Sequence, residues 1–66
     1  METRDKNYEL LDLGMYVEVP EPNEEDNWNF SFVGSVLCID LDGFVTVEDM
    51  DGDCFVVECE RLEIVD

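Results

Sequence analysis

The sequence predicts an all-β domain of five short strands, and three observations carry that reading. From Gly14 onward, runs rich in Val, Phe and Ile recur at strand length, punctuated by Gly, Pro and Asp. No segment of helical length repeats its apolar residues every 3.6 positions, and the helix formers Ala and Gln are absent from all 66 residues. Two Asp-Gly pairs, Asp42-Gly43 and Asp51-Gly52, stand between strand-like runs at hairpin spacing.

Residues 1–7 are polar and hold two of the three positive charges, Arg4 and Lys6, which reads as a flexible N-terminal leader. Residues 8–66 then form a single domain. Tyr8 to Leu13 is apolar enough to pack, as a short turn rather than a helix. The first strand is Met15 to Val19, with Met15, Val17 and Val19 on one face, and Pro20 and Pro22 end it because proline cannot donate to a ladder. A long acidic loop follows from Pro20 to Asn29. The second strand, from about Phe30 to Asp40, is apolar on both faces: Phe30, Phe32, Val36 and Cys38 against Val33, Leu37 and Ile39. A strand that bends between two packed sheets has that pattern, and Gly34 is the expected bulge.

The third and fourth strands are Phe44 to Glu48 and Cys54 to Glu58. Register selects the turn between them. A three-residue loop, Met50-Asp51-Gly52 with Gly52 left-handed, pairs Val47 with Phe55 and Val45 with Val57; a two-residue loop would set Val45 against Glu58. Glu60-Arg61-Leu62 reads as a tight turn and Glu63-Ile64-Val65 as a short last strand. The expected core is Val17, Val19, Val36, Val45, Val47, Phe55, Val57, Leu62 and Ile64.

With 19 acidic and 3 basic side chains, the formal charge is −16. The 45% apolar content is too high for a disordered acidic tail. Histidine, the commonest general base and metal ligand, is absent. No run approaches the roughly 18–20 apolar residues of a membrane span, and the first six residues lead into no apolar export signal, so a cytoplasmic location is expected. Cys38, Cys54 and Cys59, an odd set in strand-like runs, read as reduced, buried thiols.

Five short strands, a long first loop, a three-strand meander and a terminal turn-plus-strand resemble a five-stranded SH3-like barrel of the Tudor and KOW type. The resemblance rests on G-M-Y-V-E-V (14–19), V-G-S-V (33–36), G-F-V-T-V-E-D (43–49), D-G-D-C-F-V-V (51–57) and R-L-E-I-V (61–65). These motifs speak to fold rather than activity. Peptide-binding SH3 domains carry an A-L-Y-D-Y segment and a tandem tryptophan, both missing here, so proline-rich ligands do not carry over. KOW modules touch nucleic acid through basic loops; the loops here are acidic. The chain is also similar to short uncharacterised phage and bacterial proteins, which implies no activity.

Asp49 to Asp53 invites a calcium reading. With Gly52 at position 6 of an EF-hand loop, however, Val47 takes position 1, and with Gly43 there Cys38 does. Zinc needs about four ligands, and three cysteines without a C-x-x-C pair fall short. No metal or cofactor is therefore expected. No enzyme is expected either, since a barrel this small offers little interior in which to raise a carboxyl pKa.

Solubility calls for a net charge of only about 2–8 in magnitude, and the surplus here repels itself. The sign excludes nucleic acid and acidic membranes as direct partners. The expected function is a monomer or small homo-oligomer that binds a basic protein surface. Its concrete form is a phage-encoded nucleic-acid mimic, in a bacterial or phage-infected cell, inhibiting a host nuclease or defence protein. Glu21, Glu24, Glu25, Asp26, Asp40, Asp42, Asp49, Asp51 and Asp53 would stand in for phosphates, with an exposed Trp28 as apolar anchor. The alternative is a Tudor-like adaptor or reader that takes a cationic peptide into an aromatic site built on Trp28 beside Asp26, with Tyr16, Phe30 and Phe44 as further aromatics.

Overall fold

Successive side chains of a strand point to opposite faces, so the positions of Val decide which face of each strand is buried. In the computed structural model, which describes residues 2–65, these strands are β1 (Tyr16–Val19), β2 (Phe32–Ile39), β3 (Phe44–Glu48), β4 (Cys54–Glu58) and β5 (Glu63–Ile64). A 3-10 turn at Cys59–Arg61 joins β4 to β5. All pairings are antiparallel, in one sheet of order β4-β3-β2-β1-β5. The sheet is not closed into a barrel: β4 and β5 are its edges.

The β3–β4 hairpin has the expected register, Val47 opposite Phe55 and Val45 opposite Val57. Its three-residue turn closes through Asp49 N–H to the Asp53 carbonyl (2.9 Å) and Gly52 N–H to the Asp49 carbonyl (3.2 Å). Gly52 sits at φ +88°, where a side chain would be strained. Asp49 Oδ1 accepts from the N–H groups of Asp51 and Asp53, both at 2.9 Å, so this acid builds the turn it belongs to.

In β2 the bulge is not at Gly34 but between Val36 and Cys38. The extra residue shifts the alternation, turning both Val36 and Ile39 toward the core opposite Val47 and Val45. Leu37 and Cys38 are left outside, which resolves the two-faced pattern of the sequence. Gly34 serves close approach instead: a Cβ there would lie 2.5 Å from the Glu48 carbonyl oxygen and 2.6 Å from Val47 Cγ1. The burial expected of the cysteines also fails, although none of them forms a disulfide among the described residues. Cys38 and Cys54 are exposed and Cys59 is half-buried, all three free thiols, because the bulge turns Cys38 outward and Cys54 pairs opposite Glu48.

The core contains Val17, Val19, Val36, Val45, Val47, Val57 and Leu62 as expected, with Phe55 and Ile64 partly buried against it. Two buried members, Leu11 and Trp28, come from outside the strands. Met15, expected on the inner face, is exposed.

Residues 2–7, expected to be a loose leader, are tied down; Met1 lies outside the described residues. Lys6 N–H donates to the Leu62 carbonyl and Leu11 N–H to the Thr3 carbonyl, each at 2.9 Å. The Asp5 carboxylate is buried and accepts the backbone N–H groups of Glu9 (2.8 Å), Asn7 (3.0 Å) and Ile64 (3.0 Å). Burial pushes that carboxyl up, but these three donors, with Lys6 nearby, outweigh it and hold the group below the ordinary aspartate value. One buried acid thus fastens the N-terminal segment to β5.

Candidate functional site

A twelve-residue stretch without strand or helix needs its own anchor, and the loop between β1 and β2, residues 20–31, has one in Trp28. Its indole is only 5% exposed. The ring meets Phe32 and Phe55 edge-on, with centroids 6.4 and 6.1 Å away, and its Nε1–H donates to the Pro20 carbonyl at 2.9 Å. The guanidinium of Arg61 lies 5.4 Å from the ring centroid. Trp28 is therefore not the exposed anchor that the sequence suggests. A large apolar body gains most by burial, and its one polar atom finds a partner at the start of the same loop. The ring already receives its own cation from Arg61.

The same arginine accounts for Asp26. Arg61 Nη2 donates to Asp26 Oδ2 at 2.8 Å and Nη1 to Oδ1 at 3.2 Å, a two-pronged pair, while Nη1 also reaches Glu58 Oε1 at 3.3 Å. Hydrogen bonds from Arg61 and from the Asn23 N–H hold the Asp26 carboxyl below its ordinary range, against a smaller opposing effect of burial. The bond to Asp26 in turn raises the pKa of Arg61. Asp26 thus holds the loop against the 3-10 turn and is not free to meet a partner.

The remaining expected site residues fall in three places. Glu21, Glu24 and Glu25 are exposed on the loop, the latter two with Pro22 and Asn23 around a shallow depression. Asp40 and Asp42 are exposed at the β2–β3 turn, beside the 3-10 turn, where Cys59 N–H donates to the Gly43 carbonyl at 2.9 Å. Asp49, Asp51 and Asp53 stand at the other end of β3, roughly 16 Å of strand away. They share an open groove of about 660 Å³ with residues 27–31 of the long loop and with Phe32, Cys54 and Phe55. The hairpin acids therefore do not act as one cluster. The β3–β4 turn joins the loop's aromatic end, and the β2–β3 turn is remote from it.

Apolar and acidic character meet in this groove. Phe30 is 78% exposed at its rim, while Phe32 and Phe55 pack 5.5 Å apart, half-buried, at its floor. No basic side chain pairs with Asp49, Asp51 or Asp53 among the described residues: Arg4 pairs with Glu2, Lys6 with Glu63, and Arg61 with Asp26 and Glu58. Among the described residues, no three His, Cys, Asp or Glu side chains converge as metal ligands do, and no helix is long and apolar enough to cross a membrane. Sequence reasoning missed Arg61 as the loop's clamp and Phe32 and Phe55 as the groove's floor. The one available signal was that Arg61 is the only cation beyond residue 6.

Such a surplus of unpaired negative charge strains the fold at low ionic strength. Raising salt from about 10 mM to about 150 mM shortens the Debye length from about 30 to about 8 Å. The melting temperature is expected to rise by about 5 °C, corresponding to about 1 kcal/mol for a domain of this size. Calorimetry at the two salt concentrations checks this, and an unchanged midpoint would mean the charges are too dispersed to repel. No protein-family description, curated protein or solved structure matches the chain, so its function is argued from the groove and the charge alone.

Proposed function

We propose that this protein is a non-enzymatic, strongly acidic binding module that engages a basic protein surface, with the groove at the β3–β4 turn as its contact. One observation carries the reading: Asp49, Asp51 and Asp53 stand without cationic partners beside an exposed phenylalanine, while every basic side chain in the sequence is already paired within the chain. Carboxylates spaced along a turn offer a basic groove what phosphates offer it, and the apolar rim supplies contact area that charge alone lacks. In its concrete form the module is a phage-encoded mimic of nucleic acid, acting in the bacterial cytoplasm on a nuclease or defence protein. The long first loop, the β2-β3-β4 meander and the 3-10 turn leading to a last strand beside β1 support placing the domain with SH3-like folds of the Tudor and KOW type.

The test starts with capture of basic partners from lysate and elution by salt, followed by competition between this protein and the captured partner's own DNA or RNA. Association should be fast and weaken steeply with salt. Asp51→Lys with Asp53→Lys should cost roughly a hundredfold in affinity, because two attractions become two repulsions. Glu24→Lys with Glu25→Lys, on the other depression, should cost little. Simultaneous binding of the partner to this protein and to nucleic acid would refute mimicry. Indifference to both double reversals would refute the acidic-contact reading as a whole.

A further inference from the structure

The hydrogen-bond parity of the β3–β4 ladder leaves backbone groups along the outer side of β4 unpaired, starting at Cys54 in the same groove. Facing residues of an antiparallel pair alternate between those that exchange backbone hydrogen bonds and those whose N–H and C=O point away. In this hairpin Asp49 bonds to Asp53 at one end and Cys59 to Gly43 at the other. The bonded positions of β4 are therefore Phe55 and Val57. Cys54, Val56 and Glu58 turn their backbone groups to the open side, where β4 is the edge of the sheet. Among the described residues no backbone hydrogen bond occupies Cys54, Val56 or the Glu58 N–H on that side, while the Glu58 carbonyl, as N-cap, starts the 3-10 turn.

The far wall of the opening is the long loop. Arg61 ties Asp26 to Glu58, Trp28 packs on Phe55, and Asn29 to Ser31 share the groove with Asp53 and Cys54. The loop from 26 to 31 thus runs alongside β4 in the opposite direction, held there by side chains and not by a ladder. The result is a slot with an unpaired strand edge on one side, an exposed Phe30 at the rim and Asp51 and Asp53 at its mouth.

We propose that this slot receives an extended basic segment of the partner as a sixth strand, paired to the free edge of β4. The inference rests on the acidic-contact reading above and adds its binding mode: backbone pairing supplies affinity, and the acids select cationic side chains on the incoming strand. Charge decides the occupant. A second copy of a chain carrying −16 would meet repulsion along the whole approach, whereas a lysine-bearing strand is drawn in. β4 carries no lysine, proline or bulge to blunt its edge, and its one charged residue, Glu58, has the same sign as the acids at the slot's mouth.

The probe is an acetylated, amidated eight-residue peptide of alternating lysine and valine, compared with the same peptide N-methylated throughout, which keeps its charge but has no donors. Amide exchange followed by NMR should show the outward N–H groups of Cys54, Val56 and Glu58 fast in the free protein and slowed when the first peptide is bound. N-methylation should weaken binding by roughly tenfold or more, since each lost pairing bond counts. Val56→Pro removes an outward donor without touching the β3 ladder, a placement that edge strands tolerate, and should weaken the unmethylated peptide similarly. Equal binding of both peptides, no binding of either, or peptide-induced changes confined to Phe30 and Phe32 would overturn strand addition. Protection of the same amides that rises with protein concentration and needs no peptide would also overturn it, by assigning the edge to a second copy. The acidic-contact reading fails separately: peptide binding that Asp51→Lys with Asp53→Lys leaves unchanged would refute it, whichever way the edge test falls.

Discussion

Trp28→Ala is expected to cost about 3–5 kcal/mol, the usual range for deleting a buried tryptophan side chain. A chain of this length has only about 3–10 kcal/mol of stability in total, so the variant should be largely unfolded or nearly so at room temperature. The loss has several parts. The indole packs edge-on against both Phe32 and Phe55, closes the loop on itself through Pro20, and provides the face beneath Arg61. Trp28→Phe separates them: it keeps the apolar packing, loses the indole N–H to the Pro20 carbonyl, and should cost about 1 kcal/mol. Urea unfolding of the three proteins checks both figures, read as a shift of midpoint at constant slope. A Trp28→Ala protein as stable as the parent would mean that the loop is not held through its tryptophan. It would also restore Trp28 as a candidate for the exposed anchor.

Asp5→Ala is expected to be the second costly change, at about 3 kcal/mol, because it leaves the backbone N–H groups of Asn7, Glu9 and Ile64 without their acceptor. The segment it releases is the one the sequence suggests is loose, so the variant should also show faster amide exchange over residues 5–11 and at Ile64. The pH dependence has a definite sign. Asp5 and Asp26 have folded pKa values held below the ordinary aspartate value of 3.8, so their stabilisation is full above that value and is lost as pH falls through the folded ones. The contribution of these two groups should therefore hold from pH 7 down to about 4 and be lost below it, and Asp5→Ala should flatten the acid limb. A monotonic rise down to pH 2 would show that neither carboxylate matters to the fold.

The strand core was legible because it is written in local alternation. Val45 and Val47, like Phe55 and Val57, are spaced two apart, and the three-residue turn with Gly52 is the register that sets them opposite one another, so β3 and β4 follow from the residues alone. The position of the bulge was not legible. The sequence pointed to Gly34 alone, but β3 packs directly against Gly34, and the bulge falls between Val36 and Cys38, which sets Ile39 opposite Val45. Composition likewise establishes that negative charge is in surplus, without showing which acids are spent on structure. Asp5, Asp26 and Asp49 each accept hydrogen bonds that hold a segment or a turn, whereas Asp51 and Asp53 face a groove unpaired.

What the sequence determined by itself is an all-β chain, the register of its β3–β4 hairpin, its turn glycines and a large surplus of negative charge. What tertiary structure decided is the fate of Trp28, the single use of Arg61, the anchoring of residues 2–7 and the meeting of the β3–β4 turn with the far end of the first loop. The physical reason is range. Alternation and turn chemistry act between neighbours along the chain, but Arg61 and Asp26 are 35 residues apart and Asp5 and Ile64 are 59 apart, and such pairs meet only once the sheet has brought them together.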